Sequence, residues 1–533
     1  MLAFSELVQR LQEKQLESPE WFNPTVALST VLAATVLLYY TQQPKKQAVP
    51  CPESTLPVIG NLLDSMKKQR DRLYDWMNEE CLRQNGNVWE LRIPGRPRSV
   101  ISTSPDIFED VLARQNDVFP KGEAATSVIR DFFGRGIIAV DGAEWFFQRK
   151  TASHLFSLQM MRDVMSDVIR EKIELFHDVL VTHVKQNPKQ ALSMRHTLTH
   201  FTSDVFAKIG FGVELDCLKR SLEGDHSNEF VDAFSYCGQI HQRRLQQPFW
   251  LWKLKRYFNL GEEKPYKESL KIVDEIILNI ITKSVTNKNS GLAQKEHAQD
   301  LITLFLESHV ERDGIETDVQ LIRDMVVNFV FAGKDTTANA MSWFILMMNQ
   351  YPDVAEKIRA EIRLKAPWLG QGELLVPTLE DLKDLTYLDA AIHENLRLNP
   401  PIAITARTSN APTTLSDGTF INKGDRVVLM TYAQARQPTV WGEDAAMFKP
   451  ERWIDSETGH LKTFSPFKFS SFLAGPRICI GRKFAMLEMK ITLAVLMSRF
   501  EFTTVDDPFS ITYDIALTCP VKGPLDVIVR PLC

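Results

Sequence analysis

Through the middle of the chain, apolar positions recur every three to four residues, the spacing of helices that bury one face. Short runs rich in β-branched and aromatic residues, "NVWELRI", "RSVIST", "DRVVLMTY" and "LDVIVRP", lie toward the two ends. This distribution predicts a mainly helical α+β protein with small flanking sheets. The longest helical pattern opens at Thr317, where Thr317 and Gln320 read as a capping box, and continues to Gln350, stopped by Tyr351 and Pro352. Its length of about 33 residues, at ~1.5 Å each, reaches roughly 50 Å and crosses a whole domain. Met325, Phe329, Phe331, Met341, Trp343 and Phe344 surround it with apolar groups, so it is expected to be buried on all sides. Its centre, "FVFAGKDTTA", is polar and holds Gly333, which costs about 1 kcal/mol there relative to alanine. A buried Gly-x-Asp-Thr needs a reason, and one is that the Thr336 hydroxyl donates back to the Ala332 carbonyl and opens a groove for a small ligand.

A different pattern occupies the amino terminus. No charged residue occurs between Glu20 and Lys45, and "WFNPTVALSTVLAATVLLYY" (21–40) has the length of a bilayer-spanning helix, ~30 Å, with aromatic residues at both ends. Residues 1–20 are too acidic for the cationic start of a cleaved signal, though Phe4, Leu7, Val8 and Leu11 form a short apolar stripe. Lys45 and Lys46 directly after the run place the remainder in the cytosol. Residues 41–57, with four prolines, read as a stiff linker, and 58–533 as one catalytic domain. The polar run 283–299 is expected to be a mobile loop.

Bulk charge adds little. A net charge of −5 and a pI near 6.2 give no electrostatic reason to expect nucleic acid. The seven cysteines have neither disulfide-framework nor zinc-site spacing, so each thiol is judged alone.

Cys479 stands out, because "FSSFLAGPRICIGRKFA" brackets it with glycines and arginines. A ligating cysteine must be a thiolate, so its site has to supply hydrogen-bond donors and positive charge. Gly475 and Gly481 allow turns that aim backbone N–H groups at the sulfur and let a flat macrocycle approach. Arg477 could pair with a carboxylate of that macrocycle. A buried structural thiol is the ordinary reading of a lone cysteine, but the pattern F-x-x-G-x-R-x-C-x-G, Phe472 to Gly481, resembles the haem-binding loop of the cytochrome P450 monooxygenases. Three further segments match that family in order. "WFFQR" places Trp145 and Arg149 one turn apart. "AGKDTT" resembles the family's oxygen-activation motif, with Lys334 in its variable position. "HENLR" followed by "LNPP" and "FKPERW" supplies Glu394, Arg397 and Arg452, whereas "EKIR" (Glu356, Arg359) is a decoy of the same spacing.

The resemblance, spanning roughly residues 50–533, implies the family's fold and haem b (iron protoporphyrin IX), with Cys479 as axial thiolate ligand to the iron. It implies that Trp145, Arg149, Ala332, Gly333, Arg407, Phe472, Gly475, Arg477 and Gly481 also contact the cofactor. Arg149, Arg407 and Arg477 are the propionate candidates. Asp335 and Thr336 are the expected proton-delivery pair, and Glu394, Arg397 and Arg452 a structural network. O2 and electrons derived from NADPH are implied co-substrates. No flavin domain or dinucleotide fingerprint is visible, so the electrons are expected through a separate flavoprotein reductase, docking near Arg482, Lys483 and Lys490. An anchored member of this kind is expected on the endoplasmic reticulum membrane, facing the cytosol. "FPKG" and "GIIAVDGAEWFFQRKTASHLFS" resemble the plant and fungal fatty-acid ω-hydroxylases. That likeness implies a long acid held at the channel mouth by Lys121 or Arg130, with Phe132, Phe133, Phe331 and Ile402–Thr405 as candidate walls. A sterol or terpenoid hydroxylase is the alternative, and an oxygen-independent haem-thiolate isomerase a further one, disfavoured by Asp335 and Thr336.

Overall fold

The longer helices of the computed structural model are α1 (Leu73–Arg83), α2 (Glu123–Phe133), α3 (Gly142–Ser153), α4 (Ser166–Gln186), α5 (Met194–Phe211), α6 (Glu229–Leu245), α7 (Glu263–Asn289), α8 (Val319–Gln350), α9 (Pro352–Lys365), α10 (Thr386–Leu398) and α11 (Arg482–Arg499). The structure describes residues 49–532, apart from 158–159, 161–163, 226, 290–301, 303–304, 306–317 and 379. The apolar run 21–40 therefore lies outside the described residues. Among the described residues no helix is long and apolar enough to cross a membrane.

Helix α8 is the axis of the fold, buried over nearly its whole length. Its start differs from the sequence expectation: Asp318, not Thr317, caps it, accepting the Leu321 N–H at 3.0 Å. Gln320 instead donates to Asp324, one turn on. At the other end Tyr351 leaves helical geometry (φ −128°, ψ 70°), as a residue before proline tends to. The strange centre has a packing cause as well as a chemical one. A Cβ on Gly333 would sit 2.0 Å from the Phe206 ring, so only glycine lets α5 cross this closely. Thr202 of α5 fastens the crossing by donating to the Lys334 carbonyl at 3.0 Å. Helix α7 runs on to Asn289, which overturns the loop expectation for 283–289.

Among the described residues nine short strands accompany this helical body: β1 (Trp89–Leu91), β2 (Ser99–Ser102), β3 (Leu192–Ser193), β4 (Thr405–Thr408), β5 (Thr413–Thr414), β6 (Phe420–Ile421), β7 (Arg426–Leu429), β8 (Phe500–Thr504) and β9 (Asp526–Pro531). They form sheets of order β1-β2-β7-β4, β3-β9-β8 and β5-β6. The four predicted runs supply β1, β2, β7 and β9. In the first sheet β2 and β7 run parallel, Ser99 opposite Arg426 and Ile101 opposite Val428, while β4 is the antiparallel edge, with Thr408 opposite Arg426 and Arg407 opposite Val427. Residues that alternate along a strand face opposite sides. Arg426 and Val428 therefore share one face and Arg407 takes the other. The Pro50 carbonyl accepts the Glu90 N–H at 2.8 Å, tying the described amino-terminal end to β1.

Candidate functional site

The loop before α11 is shaped by residues that cannot be exchanged freely. Leu473 and Gly475 both have positive φ, and a Cβ on Gly475 would lie 2.0 Å from the Leu112 carbonyl oxygen. The Cys479 N–H closes the loop onto the Phe472 carbonyl at 2.8 Å, and Ser471 Oγ donates to Leu396 O of α10 at 2.7 Å. The thiol opens into a cavity of about 530 Å³ although protein encloses it on the other sides. Burial pushes the Cys479 pKa up, while the Gly481 backbone N–H, Arg149 and Arg482 pull it back toward the thiolate.

The cavity wall brings together most of the residues singled out in the sequence: Trp145, Arg149, Ala332, Gly333, Thr336, Phe331, Ile402, Arg407, Phe472, Arg477 and Gly481 all line it. The Arg477 guanidinium lies 3.9 Å from the Trp145 ring centroid and that of Arg149 5.9 Å. Arg477 also bonds Asp141 at 2.6 Å and the Val140 carbonyl at 3.2 Å. Arg407 donates to the Ala406 carbonyl, and burial followed by the nearby Arg477 lowers its pKa to about 10. Among the described residues the lining carries six cations, Arg96, Lys121, Arg149, Arg407, Arg426 and Arg477, and neither an aspartate nor a glutamate. A wall of that sign needs anions. The two carboxylates of a haem, with its iron toward the Cys479 sulfur, fit the Arg149, Arg407 and Arg477 side of it.

Thr336 makes the bond anticipated from the sequence, Oγ1 to Ala332 O at 2.7 Å. Asp335 departs from expectation: it does not line the cavity, and its carboxylate pairs with the fully buried Lys334. Lys334 Nζ also reaches Ser235 at 3.2 Å and lies 5.4 Å from the Phe234 ring centroid.

Several expectations need correction. Lys121 lines the cavity, but its ammonium donates to the carbonyls of Ile137 (2.9 Å), Ile138 (2.6 Å) and Val140 (3.3 Å). Burial, then Arg477 and Arg407, holds its pKa well below the usual lysine value. It is a strut for the 137–140 loop and has no free donor for substrate. Asn328 of α8 supports the same loop by accepting the Ile138 N–H at 2.8 Å and donating to Phe133 O at 2.8 Å, a role no sequence motif announced. Arg130 pairs with Glu123 on an exposed face. Phe132 and Phe133 pack edge-to-face in the core and do not reach the cavity. Lys490 is buried against Asp389 at 2.6 Å, which leaves only Arg482 and Lys483 exposed near the loop.

Behind the loop, Glu394 on α10 is fully buried. It accepts from Arg397 (2.7 and 2.8 Å), the Lys449 N–H (2.9 Å), Trp453 Nε1 (2.9 Å) and, at 3.4 Å, Arg452. The same-spacing decoy behaves as surface: Glu356 pairs with Arg363, both exposed.

Glu488 on α11 is buried, and among the described residues no donor completes a hydrogen bond to either oxygen, although Thr337 of α8 approaches it. Burial raises its pKa from 4.5 to about 8. The folded state thus keeps a proton that the unfolded chain releases, so stability is full below pH ~4.5 and falls as pH rises toward 8. The loss is on the order of 4 kcal/mol. Denaturation midpoints at pH 5 and pH 8 should differ strongly for the wild type and much less for Glu488→Gln; equal falls would refute the buried neutral acid.

Comparison with known proteins agrees with this geometry. The cytochrome P450 family profile matches residues 50–523. The chain is 32% identical to cytochrome P450 94B1 of Arabidopsis thaliana, over 91% of this chain and 92% of that one. It is also 32% identical to cytochrome P450 86B1 of the same plant, over 92% and 87%. The crystal structure of the cytochrome P450DA heme domain shares the fold with a TM-score of 0.74 at 21% identity, over 91% of this chain and 98% of that one. With a sulfur facing a cavity walled by arginines and a profile match across most of its length, this chain belongs to the cytochrome P450 family of haem-dependent monooxygenases.

Proposed function

We propose that this cytochrome P450 hydroxylates a long-chain fatty acid at or near its terminal carbon, taking NADPH-derived electrons from a separate flavoprotein reductase. The observation that carries this reading is the composition of the cavity wall: apolar side chains such as Phe206, Phe331, Ile402 and Leu517 line it together with basic ones, and among the described residues no acidic side chain does. The ω-hydroxylase-like segments around Lys121 and Trp145 supply structural parts of that wall.

When bound, haem supplies the activation of O2 and the insertion of one oxygen atom into a C–H bond. The chain's residues set the conditions. Cys479 Sγ would hold the iron, with the Gly481 N–H and two arginines favouring its anionic form. Arg149, Arg407 and Arg477 would bind the two propionates. Thr336 holds its hydroxyl proton on the Ala332 carbonyl, leaving its oxygen free to accept a hydrogen bond at the cavity face. Asp335, the preceding residue on α8 and tied to Lys334, would complete the proton-delivery pair with Thr336. The anchor assigned to 21–40 would hold the enzyme at the endoplasmic reticulum membrane, and the exposed Arg482 and Lys483 lie beside the ligand loop where a reductase would dock.

Haem-loaded protein, a reductase and NADPH, incubated with fatty acids of graded length, should yield terminally hydroxylated acids identifiable by mass spectrometry. Hydroxylation of a sterol or terpenoid with every fatty acid untouched would overturn the assignment.

A further inference from the structure

Three buried tyrosines from distant parts of the chain pack together behind the cavity: Tyr74 on α1, Tyr432 just after β7, and Tyr513 between β8 and β9. The Tyr74 ring centroid lies 5.1 Å from that of Tyr513 and 5.9 Å from that of Tyr432, and the latter two are 5.8 Å apart. Among the described residues Tyr74 is the only phenol in the cavity wall. The Tyr432 N–H donates to Ala403 O at 3.1 Å, which pins the cluster to the 401–405 segment, and Pro401, Ile402, Ile404 and Thr405 of that segment line the same cavity. Burial pushes the pKa of all three phenols up, so each keeps its proton at rest.

Tyr74 and Tyr432 differ in where that proton can go. Tyr74 Oη donates to Ala516 O at 3.1 Å, and a backbone carbonyl accepts a hydrogen bond without taking the proton. Tyr432 Oη donates to Asp75 Oδ1 at 2.7 Å, and a carboxylate can take it. Asp75 is only half-buried, so it connects the cluster to solvent, and its own N–H donates to Tyr513 Oη at 3.0 Å. The Arg436 guanidinium lies 3.7 Å from the Tyr432 ring centroid and opposes positive charge on that ring. Loss of an electron from Tyr432 is therefore tied to loss of its proton, which the same arginine favours.

We propose that this cluster is a protective redox relay: when O2 or peroxide has oxidised the haem centre and no substrate fills the cavity, Tyr74 passes the oxidising equivalent, directly or through Tyr513, to Tyr432. One electron leaves the Tyr432 ring and reduces the haem centre by one equivalent. The phenol O–H bond breaks, its proton goes to Asp75 Oδ1, and a neutral phenoxyl radical remains. A thiol or ascorbate in solution then supplies the electron that restores the phenol, and Asp75 returns the proton. The relay spares the thioethers of Met77 and Met489, which share the cavity wall and are open to oxidation. It follows from haem chemistry alone and is independent of which substrate the cavity takes.

Haem-loaded full chain is treated with hydrogen peroxide in the absence of substrate and frozen at intervals for electron paramagnetic resonance. A parallel sample receives a nitroso spin trap and is digested, and mass spectrometry locates the adduct. The wild type should show a tyrosyl signal and carry the trap on Tyr432. Tyr74→Phe should abolish the Tyr432 adduct although Tyr432 is intact, because both routes begin at Tyr74; a radical arriving from solution would label Tyr432 regardless. Asp75→Asn retains an acceptor for the phenol but no base, and should also abolish the adduct; it serves if Tyr74→Phe does not fold. Both variants should keep the thiolate-type spectrum of the reduced carbonyl complex, yet bleach their haem and oxidise Met77 and Met489 several-fold faster than the wild type. No tyrosyl signal in the wild type, an adduct on another residue in place of Tyr432, or an undiminished Tyr432 adduct in either variant would overturn the relay.

Discussion

Glu394→Ala is expected to leave no stable protein able to take up haem. The carboxylate accepts from four residues, and although Arg452 keeps a second partner in Asp444 at 2.8 Å, removal of Glu394 strands the guanidinium of Arg397, itself buried. Arg397 donates further to the carbonyls of Ala445 at 2.7 Å and Met447 at 3.1 Å, so this residue pair helps join α10 to the 435–453 segment. Breaking a buried pair by deleting one partner costs about 3–5 kcal/mol. Set against a total stability of about 5–15 kcal/mol, that is enough to unfold a large share of the molecules. Because Ser471 bonds to α10, the disturbance reaches the thiolate loop directly. Denaturant titration together with the haem-to-protein ratio measures the effect; a variant with wild-type midpoint and full haem content would show the network to be dispensable.

Cys479→Ala is expected to do the opposite: keep the fold and lose the chemistry. Its side chain faces the cavity, so the haem-free variant should differ in stability by less than about 1 kcal/mol. Loaded with haem, it should lack the thiolate-type spectrum of the reduced carbonyl complex, and hydroxylation should fall to background. The other thiols make good controls. Cys81 accepts from Trp89 Nε1 at 3.2 Å and Cys217 from Asn228 at 3.2 Å, and burial pushes the first up to about 12 and the second higher still. Their replacement should change stability and leave the spectrum intact. An unchanged spectrum in Cys479→Ala would remove the basis of the functional reading.

What could be read from the sequence was what is local. The thiolate loop, Trp145 with Arg149, and Thr336 with Ala332 are short-range arrangements set by helical or turn geometry, and the structure brings all of them to one cavity. β1, β2, β7 and β9 announced themselves as apolar β-branched runs, whereas β4 ("TART") and β8 ("FEFTT") are too mixed to stand out and exist because neighbouring strands recruit them. What depended on distant partners was misjudged. Lys121 looks like a free surface cation until the carbonyls of 137–140 are seen around it. Lys490 looks exposed until Asp389 arrives. Asp335 seems to share the cavity with Thr336 until the adjacent lysine turns it away. Tyr74, Tyr432 and Tyr513 carried no signal at all, since they stand far apart in the sequence and only the fold brings their rings together.

The parallel pairing of β2 with β7 also dictates how the enzyme is made. Those strands come from opposite ends of the polypeptide, so at about 5–20 residues per second a ribosome delivers the second only tens of seconds after the first. Until then Val100 and Ile101, buried in the finished molecule, lack their neighbour and present an adhesive edge. Nascent chains are thus most prone to aggregation late in translation, and any truncation short of β7 leaves that edge permanently open.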